Sequence, residues 1–192
     1  MTKKGVDYHM QYHTEWLMNE IDQGRQFEYV FFWGGRPNVG GRITKTCLSQ
    51  WFPCRFEADG TTYFTAEQYM MAQKAALFGD DKTRARIMAA TEPRTFKQLG
   101  QQVKPFDGAV WDSHKKDIVI KGNLVKFGQN EALKSFLLST GGKILVEASP
   151  YDHIWGVGMA ENEPDIQNPH AWRGENNLGF ALMEVRDALS HA

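Results

Sequence analysis

Two ionisable side chains lie on a segment that is otherwise apolar and strongly helix-forming. Glu67 and Lys74 both fall within residues 59–80, DGTTYFTAEQYMMAQKAALFGD. Seven residues apart, they share one face of a helix and lie about 10 Å apart along its axis. That separation is too long for an ordinary ion pair at i,i+4. They are either incidental charges on the solvated side of a core helix, or two groups that contact different parts of one ligand.

A second candidate group lies in the loop of residues 149–158, SPYDHIWGVG, where polar and aromatic residues alternate with Pro and Gly. Asp152 and Trp155 are three residues apart, and Glu147 lies just upstream. A carboxylate beside an indole suits a glycosidic or nucleotide substrate, because the ring stacks while the acid handles a proton or a cation. The alternative is a turn capped by Asp152, with Trp155 in the core. The residues alone do not decide between the two.

Glycines follow the apolar segment 28–33, EYVFFW, which is predicted to form a buried strand. Trp33, its last residue, precedes Gly34, Gly35 and Arg36, and two more glycines come at 40–41. Backbone amides in such a loop can hold a phosphate. Neither GxxxxGK(S/T) nor GxGxxG is present, so the pattern is weak. Arg36 is the side chain in this loop that we expect to contact a phosphate.

Two further patterns have a structural interpretation beside a functional one. Asp107 is predicted at the start of a helix, where a carboxylate suits the helix dipole, and it is also a candidate ligand contact. His9 and His13 are four residues apart on a predicted helix, a spacing that can bind a metal. Because the sequence has no third ligand near them, they are predicted to be surface histidines, and no metal site is expected.

Composition restricts the class of protein. With 192 residues, 42% of them hydrophobic, the chain is long enough for one domain with a real core. A net charge of −1 provides no positive field for a large nucleic-acid interface. Cys47 and Cys54 make neither a disulfide framework nor a zinc motif, which fits a reduced, cytoplasmic setting. No apolar stretch reaches about 18 residues and the start lacks a signal peptide's apolar core, so we expect no membrane partner.

Apolar periodicity and turn residues predict a chain that is rich in helix. Thr65 is the predicted N-cap of the helix that carries Glu67, and Asp59-Gly60 is a predicted hairpin turn before it. Extended segments are predicted at 28–33 and 143–148. Helices are predicted at 7–23, 66–78, 81–90, 93–101, 105–127, 130–139 and 178–189. Taken alone, the residues predict a helical domain with a carboxylate–aromatic pocket.

Several of these segments together resemble the NADAR superfamily, whose best-known members are the YbiA-like N-glycosidases. The resemblance extends from about Phe31 to Leu189, with the motifs in order and no large gap. Its specific part is the combination of a helix that bears a glutamate, a late Asp-x-x-Trp-Gly and Asn-x-Leu-Gly-x-x-Leu-Met-x-x-Arg. The matching segments are TAEQYMMAQKA (65–75), LGQQVKPFD (99–107), KFGQN (126–130), EASPYDHIWGVG (147–158) and NNLGFALMEVRDAL (176–189).

The resemblance implies a fold that is mainly α with a few short β-strands (α+β), in a single compact domain. It also implies a division into an N-terminal helical extension, residues 1–26, and an N-glycosidase domain, residues 27–192. YbiA-like members hydrolyse the N-glycosidic bond of ribosylamino-pyrimidine phosphates, early riboflavin-pathway intermediates, and release ribose 5-phosphate. Other members of the family remove ADP-ribose from guanine bases.

The resemblance also suggests roles for individual residues. The family's helix glutamate and lysine correspond to Glu67 and Lys74, and its late aspartate and tryptophan correspond to Asp152 and Trp155. The candidate catalytic residues are therefore Glu67, Lys74, Asp152 and Trp155, and the candidate substrate-binding residues are Trp33, Gly34, Arg36, Asp107, Glu147, Gly156 and Asn177. No cofactor and no metal are implied.

Some positions correspond to the family only weakly or depart from it. Asn177 and Arg186 are weaker correspondences than the four catalytic candidates. Val157 stands where many members have an acidic residue, two positions after the tryptophan. The 34–47 loop is longer than in compact members, and the helix at 7–23 is additional. These departures bear on the identity of the substrate more than on the reaction.

Three functions follow as expectations, all with a small ribosylated ligand and without a membrane partner. The first is hydrolysis of a ribosylated base through an oxocarbenium-like state, with Glu67 or Asp152 protonating the leaving nitrogen or activating water. Trp155 stacks on the base or sugar, while Lys74 either holds the substrate as a cation or attacks the ring-opened sugar as a Schiff-base nucleophile. The second is removal of ADP-ribose from guanine, which involves nucleic acid only through a modified base. The third is a non-catalytic module that binds NAD or ADP-ribose.

Overall fold

The computed structural model describes residues 11–191, and the fold is mainly α with a few short β-strands, as expected. The helices are α1 Thr14–Asp22, α2 Ala66–Leu77, α3 Asp81–Ala89, α4 Pro93–Gly100, α5 Gly108–Gly128, α6 Glu131–Ser139 and α7 Asn177–Ser190. The strands are β1 Tyr29–Phe32, β2 Phe56–Ala58, β3 Thr61–Tyr63 and β4 Ile144–Glu147. Within residues 11–191, no helix combines the length and the apolar character that crossing a membrane requires.

Strands β1 and β4 form a parallel pair in the core, although they are more than 100 residues apart in sequence. The register aligns Tyr29 with Ile144 and ends at Phe32 with Glu147. The first three residues of β4 are all buried, as expected for a parallel pair that is covered on both faces. Helix α7 packs against β4 and against α5. Glu147 therefore sits at the carboxyl end of a buried strand.

Strands β2 and β3 form the hairpin that leads into α2, as the Asp-Gly turn predicted. Asp59 and Gly60 both have positive φ, 48° and 72°, which a tight two-residue hairpin turn requires. The predicted cap is also confirmed, since Thr65 accepts a hydrogen bond from the Gln68 amide at 3.0 Å. The Gln68 side chain reaches back and accepts from the amide of Phe64 at 2.9 Å. Two otherwise unpaired amides at the start of α2 are thereby satisfied.

Helix α2 lies at the centre of the helical part of the fold. It packs against α3, α4 and α5. Two glycines permit the close approach: a Cβ on Gly100 in α4 would overlap Met71, and a Cβ on Gly122 in α5 would come 2.5 Å from the Tyr69 ring. An ionisable side chain on α2 can therefore avoid the core only where the helix borders an opening.

The N-terminal helix is shorter than predicted. Residues 11–13 are not helical, and residues 7–10, with His9, lie outside the described residues. His13 is the N-cap of α1, where its ring nitrogen accepts from the Trp16 amide at 3.1 Å. The backbone amide of Tyr12 donates to the Glu184 carboxylate on α7 at 3.0 Å. Because this segment is bonded to α7, helix geometry begins only at Thr14.

A buried side-chain amide joins β4 to α7. Asn176, the N-cap of α7, has a positive φ of 54° and is fully buried. Its Nδ2 donates to the Leu145 carbonyl at 2.9 Å, and its Oδ1 accepts from the Glu147 amide at 3.0 Å. Gly179 in α7 lies against the same carbonyl, so that a Cβ there would overlap Leu145 O and the Asn176 amide. These close contacts therefore fix the position of the end of β4.

Gly179→Ala should destabilise the protein by about 1–3 kcal/mol, because the added methyl group meets backbone and a buried amide that cannot move away. The melting temperature should fall by several degrees in a thermal unfolding scan. Gly128→Ala at the end of α5 is the matched control. Its Cβ would meet only Leu189 at an ordinary 3.8 Å, and alanine favours the helix. Equal melting temperatures for the two variants would contradict the close packing of α7 on β4.

Candidate active site

A cavity of about 700 Å³ opens at the carboxyl end of the β1–β4 pair. Helices α2 and α4 form one side, and the loop that follows β4 forms another. The volume lies within the usual range for a site that binds a small organic ligand. Seven of the predicted site residues line it: Trp33, Gly34, Glu67, Lys74, Glu147, Asp152 and Trp155.

Glu67 lies in the first turn of α2 and is almost fully buried. Its amide donates to the Gln50 carbonyl at 2.9 Å, which ties the start of the helix to the segment before β2. Burial raises the pKa of its carboxyl to about 7, and the negative charge of Asp152 acts in the same direction. The ammonium of Lys97 and a hydrogen bond from the Trp51 side chain oppose that rise in pKa. A group with a pKa near neutrality can give or take a proton at physiological pH.

Asp152 combines the turn role with a place in the cavity. Its Oδ1 accepts from the amides of Ile154 at 3.0 Å and Trp155 at 2.8 Å, so the carboxylate caps its own turn. Its Oδ2 lies 3.7 Å from Lys97 Nζ. The two interpretations of the loop thus apply together, because the capping bonds that shape the turn also hold one carboxylate oxygen and the half-buried Trp155 ring at the cavity.

Glu147 is the third carboxyl group in the cavity. Its backbone carbonyl accepts from the amides of Ser149 at 2.9 Å and Val157 at 3.0 Å, so the loop folds back on the end of β4. Its Oε2 is buried without a hydrogen-bond partner among residues 11–191. Burial raises the pKa of this carboxyl to about 8, and the neighbouring Asp152 and Glu67 add to the rise. Burial thus disfavours the charged form of both Glu67 and Glu147.

Lys74 occupies the other end of the α2 face. Its Nζ donates to the Gly100 carbonyl at 2.8 Å and lies 4.5 Å from the Phe106 ring centroid and 5.3 Å from that of Trp111. None of the ion pairs within the described chain involves Lys74. Burial lowers the pKa of its ammonium, because the charged form loses hydration without gaining a carboxylate partner.

Two predicted contact residues lie outside the cavity lining. Arg36 is exposed on the loop after β1, and its contact with a phosphate stays a prediction. Asp107 is exposed and caps α5, where its Oδ1 accepts from the amides of Ala109 at 2.9 Å and Val110 at 3.1 Å. The structural interpretation of Asp107 is the one that its contacts support.

Gly156 and Asn177 also lie outside the lining but shape the loop that carries Asp152. A Cβ on Gly156 would come 2.8 Å from the Glu147 carbonyl, so a larger residue would separate the loop from β4. Asn177 Nδ2 donates to the Ile154 carbonyl at 2.8 Å. These contacts position the cavity wall, and a direct contact of either residue with a ligand stays a prediction.

Comparison with known proteins identifies the family to which this chain belongs. The NADAR domain family matches residues 31–190, most of the chain. The chain belongs to the NADAR family. A protein named N-glycosidase R617, from Acanthamoeba polyphaga mimivirus, is 43% identical over 165 residues, which cover 83% of this chain and 95% of that protein. N-glycosidase YbiA from Escherichia coli (strain K12) is 33% identical over 134 residues, which cover 70% of this chain and 75% of YbiA.

A further relative and a solved structure agree with this membership. Protein irg-1 from Caenorhabditis elegans is 34% identical over 158 residues, which cover 74% of each chain. The NMR structure of the E. coli protein YbiA superposes with a TM-score of 0.68 at 28% identity, covering 87% of this chain and 88% of that one. The fold of this NADAR protein is therefore shared with YbiA.

Sequence reasoning missed several residues of this NADAR cavity, above all Lys97. It lies in α4, a segment that was predicted only as a helix, and its ammonium is the positive charge that approaches Asp152. Gln50, Trp51 and Trp111 also line the cavity. One signal was available: three carboxyl groups predicted around one site require a nearby cation. Nothing in the periodicity of α4 selects Lys97 from the other basic residues.

The metal-binding spacing in the sequence involves His9 and His13, of which His9 lies outside the described residues. Within residues 11–191, no group of three or more His, Cys, Asp or Glu side chains is arranged to hold a metal ion. His13, one of the pair with metal-binding spacing, is used as the cap of α1.

Glu67→Gln should make the protein more stable above neutral pH and leave its stability at pH 4–5 nearly unchanged. The pKa of Glu67 is raised from 4.5 to about 7 in the folded state, so stability present below pH 4.5 is lost as the pH rises through 7. The variant avoids that loss, which amounts to about 2–3 kcal/mol at pH 8. Urea unfolding across this pH range measures the difference.

The control for that comparison is Glu131→Gln, which removes an exposed carboxylate from the first turn of α6. It should change the unfolding free energy by only a few tenths of a kcal/mol. If the difference between Glu67→Gln and the unmodified protein stayed constant from pH 4 to pH 8, Glu67 would not be a buried acid with a raised pKa.

Proposed function

We propose that this NADAR protein hydrolyses the N-glycosidic bond of a ribosylated base, such as a ribosylamino-pyrimidine phosphate of the riboflavin pathway, and releases ribose 5-phosphate. Relatives in the family are named N-glycosidases, and the chain is an enzyme, a hydrolase acting on N-glycosyl bonds. The observation that carries the choice of residues is one cavity lined by Glu67, Lys74, Asp152 and Trp155.

The two acids nearest Lys97 suit the proton transfers of such a hydrolysis. Cleavage of an N-glycosidic bond leaves positive charge at the sugar C1 carbon and requires a proton on the departing nitrogen. Glu67, with a pKa of about 7, is available as the protonated donor. Asp152 faces Lys97 and keeps one oxygen toward the cavity, where a carboxylate stabilises the positive sugar carbon. Trp155 lies beside it as a stacking surface.

Lys74 has surroundings that favour a nucleophile over a simple cationic clamp. It has no carboxylate partner in the described chain, and burial lowers the pKa of its ammonium, which makes loss of the proton easier than for an exposed lysine. In a ring-opened substrate, the amine adds to C1 and expels the base as its amine. Water then adds to the resulting Schiff base, which releases the sugar aldehyde and regenerates Lys74.

The size of the cavity supports ADP-ribosyl-guanine as a second candidate substrate. Trp33 and Tyr151 lie at the mouth with ring centroids 6.0 Å apart, and both are largely exposed. Trp51, Trp111 and Trp155 line the same space. More than one flat group can therefore stack along a cavity of about 700 Å³, as a dinucleotide-like ligand requires. A non-catalytic binding module is disfavoured, because its site would have no use for two acids and a lysine held in one cavity.

The protein should release free base from a ribosylamino-pyrimidine phosphate faster than from ADP-ribosyl-guanosine when both are assayed side by side by chromatography. Glu67→Gln and Lys74→Ala should each lower turnover at least about 100-fold, the usual contribution of a positioned acid, base or nucleophile. Circular dichroism should show both variants folded. Lys121→Ala, at an exposed position on α5, is the control and should keep full activity.

Two results would contradict this assignment. Full activity in both variants would show that the catalytic residues are wrong. If the folded, unmodified protein releases no base from either substrate, the proposed reactions are excluded.

Borohydride added during turnover should trap the substrate sugar on Lys74, because it reduces a Schiff base to a stable amine. Peptide mass spectrometry should find the adduct on the peptide that contains Lys74. Lys74→Arg keeps a positive charge in the cavity but lacks a nucleophilic amine, so it should give no adduct and little turnover. Normal turnover in Lys74→Arg, without any adduct in the unmodified protein, would instead indicate that Lys74 only binds the substrate and that water attacks C1.

A further inference from the structure

The backbone of Glu147 is fixed at the end of β4, while its carboxyl Oε2 has no hydrogen-bond partner among residues 11–191. Its backbone amide donates to Asn176, and its carbonyl accepts from Ser149 and Val157. The pairing of β4 with β1 fixes the strand up to this residue. The backbone of Glu147 therefore has a fixed position at the cavity.

The two carboxyl oxygens of Glu147 have different surroundings. Oε2 is buried and accepts no hydrogen bond within residues 11–191. Glu147 lines the cavity and Oε2 is its buried oxygen, which leaves Oε1 as the candidate for contact with a ligand. An ionised carboxylate would place part of a negative charge on the unpartnered Oε2, which is unfavourable in a buried position. A neutral acid places only its carbonyl oxygen there and leaves an O–H group at Oε1.

The charges around the group point the same way. Helix α2 contributes Glu67 and, farther along, Lys74; helix α4 contributes Lys97; the loop after β4 contributes Tyr151, Asp152 and His153. The ammonium of Lys97 approaches Asp152, and that of Lys74 donates to the Gly100 carbonyl. No ion pair in the described part of the chain involves Glu147. Among these groups, Lys97 is the cation that lowers the pKa of both Glu67 and Glu147, and it already approaches Asp152.

We propose that Glu147 is a neutral carboxylic acid in the ligand-free protein and that its O–H group donates a hydrogen bond to a carbonyl oxygen or ring nitrogen of the substrate's base. Glu147 then determines specificity: it selects a base with an acceptor atom at the end of β4. The same acidic surroundings disfavour an anionic group there, so the substrate phosphate lies elsewhere in the cavity. The identity of the ligand rests on the proposed function, whereas the protonation state does not.

The protonation state is tested on the ligand-free protein by infrared difference spectroscopy between the unmodified protein and Glu147→Gln. The difference spectrum should contain the carbonyl stretch of a protonated carboxylic acid at pH 7 and should lose it as the pH rises through about 8. Glu161→Gln, which removes an exposed acid paired with Lys45, is the control and should produce no such band at pH 7. Loss of the Glu147 band at pH 4–5, as for an ordinary glutamate, would overturn the proposal.

The hydrogen bond is tested by titrating two probes, uridine 5′-monophosphate, which carries base carbonyls, and ribose 5-phosphate, which carries no base. Tryptophan fluorescence reports binding, because three indoles line the inner cavity. Glu147→Ala should weaken binding of the nucleotide about tenfold and leave binding of ribose 5-phosphate unchanged. Glu147→Gln keeps an N–H donor and should bind the nucleotide within a few-fold of the unmodified protein at pH 7.

The pH dependence separates a donor from a merely structural residue. Affinity of the unmodified protein for the nucleotide should fall as the pH rises through about 8, toward that of Glu147→Ala, while that of Glu147→Gln should stay level. Equal losses for both probes in Glu147→Ala, no binding of the nucleotide by the unmodified protein, or parallel pH profiles would overturn the assignment. A neutral Glu147 in a protein that hydrolyses no N-glycoside would refute the proposed function instead and leave this inference intact.

Discussion

The burial of α2 on three sides is the constraint on which the site depends. Helices α3, α4 and α5 surround it, and glycines at positions 100 and 122 let two of them approach closely. A charged side chain on such a helix is tolerated only where it borders a cavity or changes its protonation state. Glu67 and Lys74 do both, since they line the same cavity and burial shifts both pKa values toward neutrality. The packing that stabilises the fold thus also raises the pKa of Glu67 to about 7 and lowers that of Lys74.

Charge balance then sets different roles for three carboxyl groups in one cavity. Asp152 receives two amide hydrogen bonds and approaches Lys97, so its negative charge is the best supported. Glu67 has only the opposing effect of Lys97 and a bond from Trp51 against its burial. Glu147 has an oxygen with no partner in the described chain. The three carboxyl groups therefore have different surroundings within one cavity, as acid–base catalysis on a glycoside requires.

The sequence predicted the local elements well because each has a local cause. The Asp59-Gly60 turn and the Thr65 cap are satisfied within a few residues, and both are confirmed. Elements joined by distant contacts were harder: the start of α1 depends on Glu184, more than 170 residues away. For the site, the residue types made Glu67 and Asp152 candidates and the family resemblance selected them, but Lys97 depends on how α4 packs against α2. No pattern within α4 itself encodes that packing.

The loop after β4 shows why the turn and site interpretations of a carboxylate need not compete. The Glu147 carbonyl accepts from Val157, which closes residues 148–156 into a loop on the end of the strand. Gly156 permits this closure, because a side chain there would meet the Glu147 carbonyl. The Asp152 Oδ1 bonds fix the turn inside the loop, and Asn177 holds its outer side from α7. Asp152 is thereby held rigidly through Oδ1 while Oδ2 lies toward Lys97, and an acid whose orientation is already fixed loses little entropy when a substrate binds.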